Sequence, residues 1–308
     1  MRSTRRGFTL AEVLISMTIG AVVLTAATSF SLRSWQTRRG WTVRESVDRN
    51  ARFLGLSLAR DAQEAGIAME SSPVFASLGS FGDTLSVLSV PFTPNEATVY
   101  PIYNDGDTLP NYPAGGNCGA YCIEFNQVAG TFTLAAGDLA RLQIGSTRRL
   151  LYLTSATSAS GGRFRVNFLP VSQLLGRASG LSGVLLTRAG TTIQKLKAVV
   201  YWRDAASASL MRADQFDNAA RPLGRVLASG AAAFSTSLIF VGNNESPSYN
   251  GLDADTLNDG NDVIGVRVRA QLQTERVDPA VNNGQPILRW YDWRVAPRNL
   301  LYEKNRNQ

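Results

Sequence analysis

Between Val13 and Leu32 the chain carries no charged residue, and Arg33 closes the stretch. Twenty residues of helix, at about 1.5 Å each, reach about 30 Å, the thickness of a bilayer's hydrocarbon core. Ser16, Thr18, Gly20, Thr25, Thr28 and Ser29 moderate its apolarity, so the segment suits either lipid or the flanks of other helices. Arg2, Arg5 and Arg6 precede it; arginines on that flank hold a short N-terminus in the cytoplasm and leave the bulk of the chain outside. The run opens on an acid, Glu12, and a carboxylate at the edge of lipid is costly unless something pairs with it.

Two plain readings fit the apolar run. A secretory signal peptide has this charged start and apolar centre and would be cut near Ala26-Ala27; an uncut anchor would simply stay. Neither explains Gly7 followed by Phe8, with an acid five places after the glycine. Beyond the run, Val43, Val47, Ala51, Leu54, Leu58, Ala62 and Ala65 recur at steps of three and four, one apolar face of a helix. Arg44, Arg49, Arg52 and Arg60 fall largely off that face. No proline occurs before Pro73, and Gly66 is a natural terminator, while Gly40 could loosen the middle. The expected element is one long helix ending near Gly66.

After that helix the pattern changes to alternation and turns. The stretch Asp83–Val90 (DTLSVLSV) reads as a half-buried strand. YCIEFNQ, GTFTLAAG, ARLQIG, RRLLYLTSA, GRFRVNFLP, TIQKLKAVVYWRD, FSTSLIFVG and DVIGVRVRAQLQ are further strand candidates, separated by Gly, Asn and Asp clusters. Within the last, Val266 and Val268 alternate with Arg267 and Arg269, which predicts an edge strand with one wet face. The fold class is therefore α+β: a long N-terminal helix on an antiparallel β-rich head.

Composition narrows the chemistry. Of a formal net charge of +7, Arg2, Arg5 and Arg6 supply three; without them the chain stands at about +4, a weak argument for nucleic acid. There is no histidine, which removes the commonest general base and the usual zinc ligand. No G-x-S-x-G with a base and no phosphate-cradling glycine loop occurs, so the reading is not an enzyme and no cofactor is implied. Cys118 and Cys122 could close a small disulfide loop in an oxidising compartment or remain buried thiols. Asp253, Asp255 and Asp259 lie in an Asn250–Asp262 loop that could interest calcium, but Leu257 occupies a position that needs oxygen, so a solvated turn is the competing reading. RWYDWR interleaves aromatics with arginines, making Arg289, Trp290 and Arg294 candidate DNA contacts. On an alternating strand the aromatics would instead fill the core.

The stretch RRGFTLAEVLISMTIG closely resembles the N-terminal signal of type IV pilins and pseudopilins. The resemblance implies cleavage between Gly7 and Phe8 by a prepilin peptidase, N-methylation of Phe8, and retention of the apolar helix. It also implies that Glu12 attracts the N-terminal amine of a neighbouring subunit, setting register during assembly. The match is contiguous. More diffusely, RDAQEAG at the helix end, DTLSV, the Leu134–Asp138 turn, VVYWRD with a following LMR, and VAPRNL resemble minor pilins of the PilW type. On this resemblance residues 1–7 are a leader, 8–32 a transmembrane and assembly helix, 33–66 its amphipathic continuation, and 67–308 an extracytoplasmic head. The implied protein is a minor pilin of a pilus initiation or tip complex, held in the inner membrane until assembly and then at the cell surface. Its implied partners are the peptidase, other minor and major pilins, the inner-membrane assembly platform and membrane lipid, with motility, adhesion or DNA uptake downstream. A type II secretion pseudopilin and a membrane-anchored extracellular binding protein are the alternatives.

Overall fold

One helix, α1, runs unbroken over Leu10–Gln63, 54 residues, and passes through Gly40 without interruption. The computed structural model describes residues 9–92, 99–103, 118, 121–128, 133–179, 186–187, 189–253, 257–275, 277–279 and 281–301. By contacts the chain forms two compact units, Met1–Arg49 with Gln273–Leu288, and Asn50–Leu272 with Arg289–Gln308.

In the first unit, α1 presents its apolar run to the outside. Leu14, Met17, Val22, Leu24 and Phe30 are all exposed, and none of the most apolar window is buried. That part of the helix is long and apolar enough to cross a membrane. The Gln273–Leu288 segment folds back on itself: Thr274 N–H donates to Ile287 O (3.1 Å), and Ile287 N–H to Thr274 Oγ1 (3.2 Å).

The second unit holds the rest of α1 and the strands. Its strands are β1 Leu78–Phe81, β2 Thr84–Ser89, β3 Val99–Pro101, β4 Cys122–Asn126, β5 Leu139–Ile144, β6 Thr147–Ala159, β7 Arg163–Phe168, β8 Gln173–Leu174 and β9 Arg177–Ala178. They continue with β10 Thr191–Asp204, β11 Ser209–Ala213, β12 Arg225–Ser229, β13 Ala231–Phe240 and β14 Glu245–Ser246. β15 Val263–Gln273 and β16 Leu288–Val295 complete the set, each with one terminal residue in the first unit. Two-residue turns join β1 to β2 and β5 to β6, and each opens on a glycine at positive φ, Gly82 (61°) and Gly145 (56°), as tight hairpins require.

β10 organises the larger sheet. Its first half pairs with β5 and with β3, and its second half with β2 and β11. From β5 the pairing continues through β6 and β7 to β4. β4 then meets β3 at an Ile102–Phe125 bridge, backed by Tyr103 N–H donating to Glu124 O (2.9 Å). The strands β3, β4, β5, β6, β7 and the first half of β10 thus form a ring. Its interior is Tyr100, Ile102, Ile123, Phe125, Leu142, Leu151, Leu153, Phe164, Val166 and Ile193. Outside the ring a second core gathers Met69, Phe75, Leu88, Leu139, Leu150, Tyr152 and Leu196. This accounts for the unbroken apolar run LLYL: Leu151 and Leu153 point inward, Leu150 and Tyr152 outward, so both faces of β6 are dry.

The smaller sheet runs β14-β13-β15-β16. Ser80 Oγ donates to Thr236 O (3.1 Å) and Arg203 Nε to Ala231 O (2.7 Å), tying the two sheets together through β13. Arg177 is 1% exposed and spends its guanidinium on the carbonyls of Ala76, Ser77 and Leu175 and on Ser86 Oγ, with the Phe75 ring 5.7 Å away.

Two strand expectations need correction. In GTFTLAAG, Thr133–Ala135 is irregular and Ala136-Gly137 is a turn; Asp138 Oδ2 accepts from Ala135 N–H (2.8 Å), so local turn chemistry overrides the alternation. Residues 129–132 lie outside the described residues. β15 has the expected wet face, but it is an interior strand, with β13 on one side and β16 on the other.

Candidate functional site

The segment that carries the sequence signal begins at the N-terminus of α1. Gly7 and Phe8, the expected processing site, lie outside the described residues. Thr9 caps the helix. Glu12 N–H donates to Thr9 Oγ1 (3.4 Å), while Thr9 N–H and Thr9 Oγ1 both donate to Glu12 Oε2 (3.0 Å each). This reciprocal arrangement is a capping box, written in the sequence as Thr9-x-x-Glu12, and it gives Glu12 a role within its own chain besides the expected intermolecular one. The helix's own first turn therefore aims the carboxylate. Within the run, Ser16, Thr18, Thr25 and Thr28 hydroxyls donate to carbonyls three or four residues back, so these polar groups need no water.

The far end of α1 is a second focus. Of the face expected from periodicity, Val47, Ala51, Leu54, Leu58, Ala62 and Ala65 are each at most 3% exposed, and Val43 is half-buried. Beside it sits Asp61, also buried, whose carboxylate takes hydrogen bonds from the Tyr201 hydroxyl and from Arg212 Nε (2.7 Å). Arg212 also donates to Asp214 Oδ2 (2.8 Å). Burial first, and then bonding to the Asp61 carboxylate, hold the Tyr201 hydroxyl above its ordinary range, so it remains a donor. The carbonyl of the helix's last residue and that of Ala65 just beyond it are met by Asn299, whose Nδ2 donates to Ala65 O and to Gln63 O (3.5 Å). Gly66, at φ 74°, turns the chain away, and a Cβ there would stand 2.6 Å from Leu300. RDAQEAG, VVYWRD, LMR and VAPRNL, far apart in sequence, thus converge on one joint. Their meeting was not foreseen, because nothing within each motif names its spatial neighbour.

The remaining candidates are distributed. Cys118 and Cys122 form a disulfide, with Cα atoms 5.3 Å apart. Asp253 Oδ2 accepts from the amides of Asn250 (2.8 Å) and Asn258 (3.4 Å), and Asp255 lies outside the described residues. Among the described residues no three Asp, Glu or Cys side chains gather as metal ligands around Asp253 and Asp259. This loop docks on the chain before β1: Gly260 N–H donates to Pro73 O (2.7 Å), and a Cβ at Gly251 would overlap Pro73.

RWYDWR forms most of β16. Tyr291 and Trp293 stack at 5.8 Å and are half-buried, with Trp293 against Gly55 of α1. The expectation that its aromatics fill the core fails for Trp290, which is 59% exposed. Arg289 is exposed and Arg294 donates to Glu245 Oε1 (2.9 Å). Arg267 bonds both Glu245 (3.1 Å) and Asp292, and Arg269 reaches Asp292 at 3.3 Å. Hydrogen bonding to Arg267 is the main reason Asp292 is held down at about 2. The face alternates sign and is a poor match to the uniform charge of a phosphate backbone.

A family profile described as the prokaryotic N-terminal methylation motif matches residues 2–28. No curated protein matches the chain. The matched motif, continuing into a long apolar helix with a large antiparallel sheet domain behind it, supports a type IV pilin-like protein, either a pilin or a pseudopilin. It implies processing by a prepilin peptidase and assembly with other pilins, and it points to a structural role rather than catalysis.

Proposed function

We propose that the chain is a minor type IV pilin, trimmed between Gly7 and Phe8, methylated on Phe8, and built into the initiation or tip complex of a pilus. The observation that carries this is the methylation motif at residues 2–28 running directly into an apolar helix whose side chains find no cover among the described residues. Lipid covers them first and neighbouring helices later, an exchange of one apolar environment for another at little net cost. Glu12, already aimed by Thr9, meets the amine of an adjacent subunit and sets the register; in lipid that attraction is poorly screened. Phe8–Leu32 spans the inner membrane with the sheet domain outside. This orientation rests on the motif, because arginines flank the apolar run on both sides. The Cys118–Cys122 disulfide suits an oxidising compartment.

Mass spectrometry of the mature N-terminus tests the proposal: methylated Phe8 is expected, and an intact Arg2–Gly7 segment in cells with a working peptidase would overturn it. Gly7→Val is expected to abolish trimming, whereas Glu12→Ala should be trimmed yet assemble poorly. The same motif serves type II secretion pseudopilins. A deletion strain separates the two, since loss of surface pili marks the first and loss of secreted enzymes the second.

A further inference from the structure

Immediately after the apolar run the helix reads RSWQTRRGW, and its charges are of one sign until Glu45. Arg33, Arg38 and Arg39 are exposed, and so is Trp35, at 66%. The Arg39 guanidinium lies 5.8 Å from the Trp35 ring centroid. At about 100° per residue, Arg33, Arg38 and Arg39 point at about 0°, 140° and 240° around the axis, with Trp35 at about 200°. A protein or nucleic-acid partner approaches a helix from one side. These groups surround it, and the partner that surrounds a helix emerging from lipid is the headgroup layer. The heights agree: at about 1.5 Å per residue these residues begin about 2 Å and end about 10 Å beyond Leu32. The interfacial layer is about 5–8 Å deep on each side, and arginine side chains reach back several ångströms to phosphates.

We infer that Arg33, Trp35, Arg38 and Arg39 form an interfacial collar that gathers anionic phospholipid headgroups around the helix before assembly. The inference rests on the reading that Val13–Leu32 lies in lipid. The collar has a direction. Sinking inward would drag arginines into hydrocarbon, at about 3 kcal/mol each on insertion scales. Moving outward only releases headgroups. Removal of Arg2, Arg5 and Arg6 with the leader takes away the charges that would oppose outward movement, so the trimmed helix is held against sinking and free to leave.

The test uses the full-length, trimmed protein in phosphatidylcholine vesicles containing phosphatidylglycerol, with bromine placed on the acyl chains of either lipid in turn. The W35F variant separates the Trp35 signal from the other tryptophans. Trp35 is expected to be quenched about twofold more strongly by the brominated anionic lipid than by the neutral one at equal mole fraction, the local enrichment that three arginines near the surface should produce. In R33Q/R38Q/R39Q the ratio should fall to about one, while Trp41, a turn and a half further out, is quenched less than Trp35 in both proteins. Equal quenching by the two lipids in the wild type, or a ratio unmoved by the triple substitution, would overturn the collar; the latter would assign the enrichment to other basic residues such as Arg44. Failure to float with vesicles of phosphatidylcholine alone would overturn the membrane reading itself, a separate outcome.

Discussion

The two halves of α1 share a secondary structure and little else. From Leu10 to Leu32 the helix carries its leucines, its valines and Phe30 on the outside; after Arg49, Leu54 and Leu58 are fully buried while Phe53 and Leu56 remain exposed. The first half has apolar residues all round and so asks for a solvent that is itself apolar. The second half has one apolar stripe and asks only for a sheet to lie on. The polar groups differ in the same way. Those of the first half bond back to their own helix, and Asp61 in the second half bonds to strands β10 and β11. One half is prepared to change surroundings, the other to stay.

Substitutions that remove the second half's attachment should sharpen this contrast. The largest effect is expected from Asp61→Ala, which strands Tyr201 and Arg212 in a buried site and should cost roughly 3–5 kcal/mol in denaturant unfolding of the full chain in detergent. Leu58→Ala should cost about 2–4 kcal/mol by opening a cavity, while Leu56→Ala, on the exposed side of the same turn, should stay within about 0.5 kcal/mol. If the two leucines behaved alike, the division of the helix into a buried and an exposed face would be wrong. Asn299→Ala should cost about 1 kcal/mol, since it uncovers carbonyls at the end of α1. Leu24→Ala should leave head unfolding unchanged and reveal itself only in membrane retention.

A small effect concerns acid. Asp292 is held at about 2, below the ordinary aspartate value near 3.9, chiefly by its hydrogen bonds to Arg267. A depressed carboxylate stabilises the fold above the unfolded value and loses that contribution as pH falls toward about 2. Its side chain is 40% exposed, so solvent screens most of the gain. Asp292→Asn should therefore flatten the unfolding midpoint between pH 4 and pH 2 slightly, leaving it nearly unmoved at neutral pH. A large drop at pH 7 would mean the Arg267 network matters far more than surface pairs usually do.

Much of this architecture could be read in advance, for reasons that are local. The buried stripe from Val47 to Ala65 follows from helical period alone, and the Gly7-Phe8 and Glu12 signal is contiguous. Strands such as β7 and β10 announce themselves by β-branched and aromatic residues. What could not be read depends on residues that are distant in the chain. The ring closes only when β3 reaches both β10 and β4, and Asp61 finds Tyr201 and Arg212 only after β10 and β11 are paired. GTFTLAAG misled because its apolar pattern was weaker than the hydrogen bonds Asp138 makes within its own turn. The Thr9–Glu12 capping box is local too, since T-x-x-E at the start of an apolar run specifies it without any distant partner.

Arg177 has one further consequence. Its guanidinium is held by carbonyls and one hydroxyl, none of which titrates in acid, whereas Asp292 ties its part of the molecule with a group that does. Acidification would therefore slacken the sheet face around Asp292 before it touched the hairpin and turn that Arg177 fastens. That corner should be the last to exchange its amide protons as the medium sours.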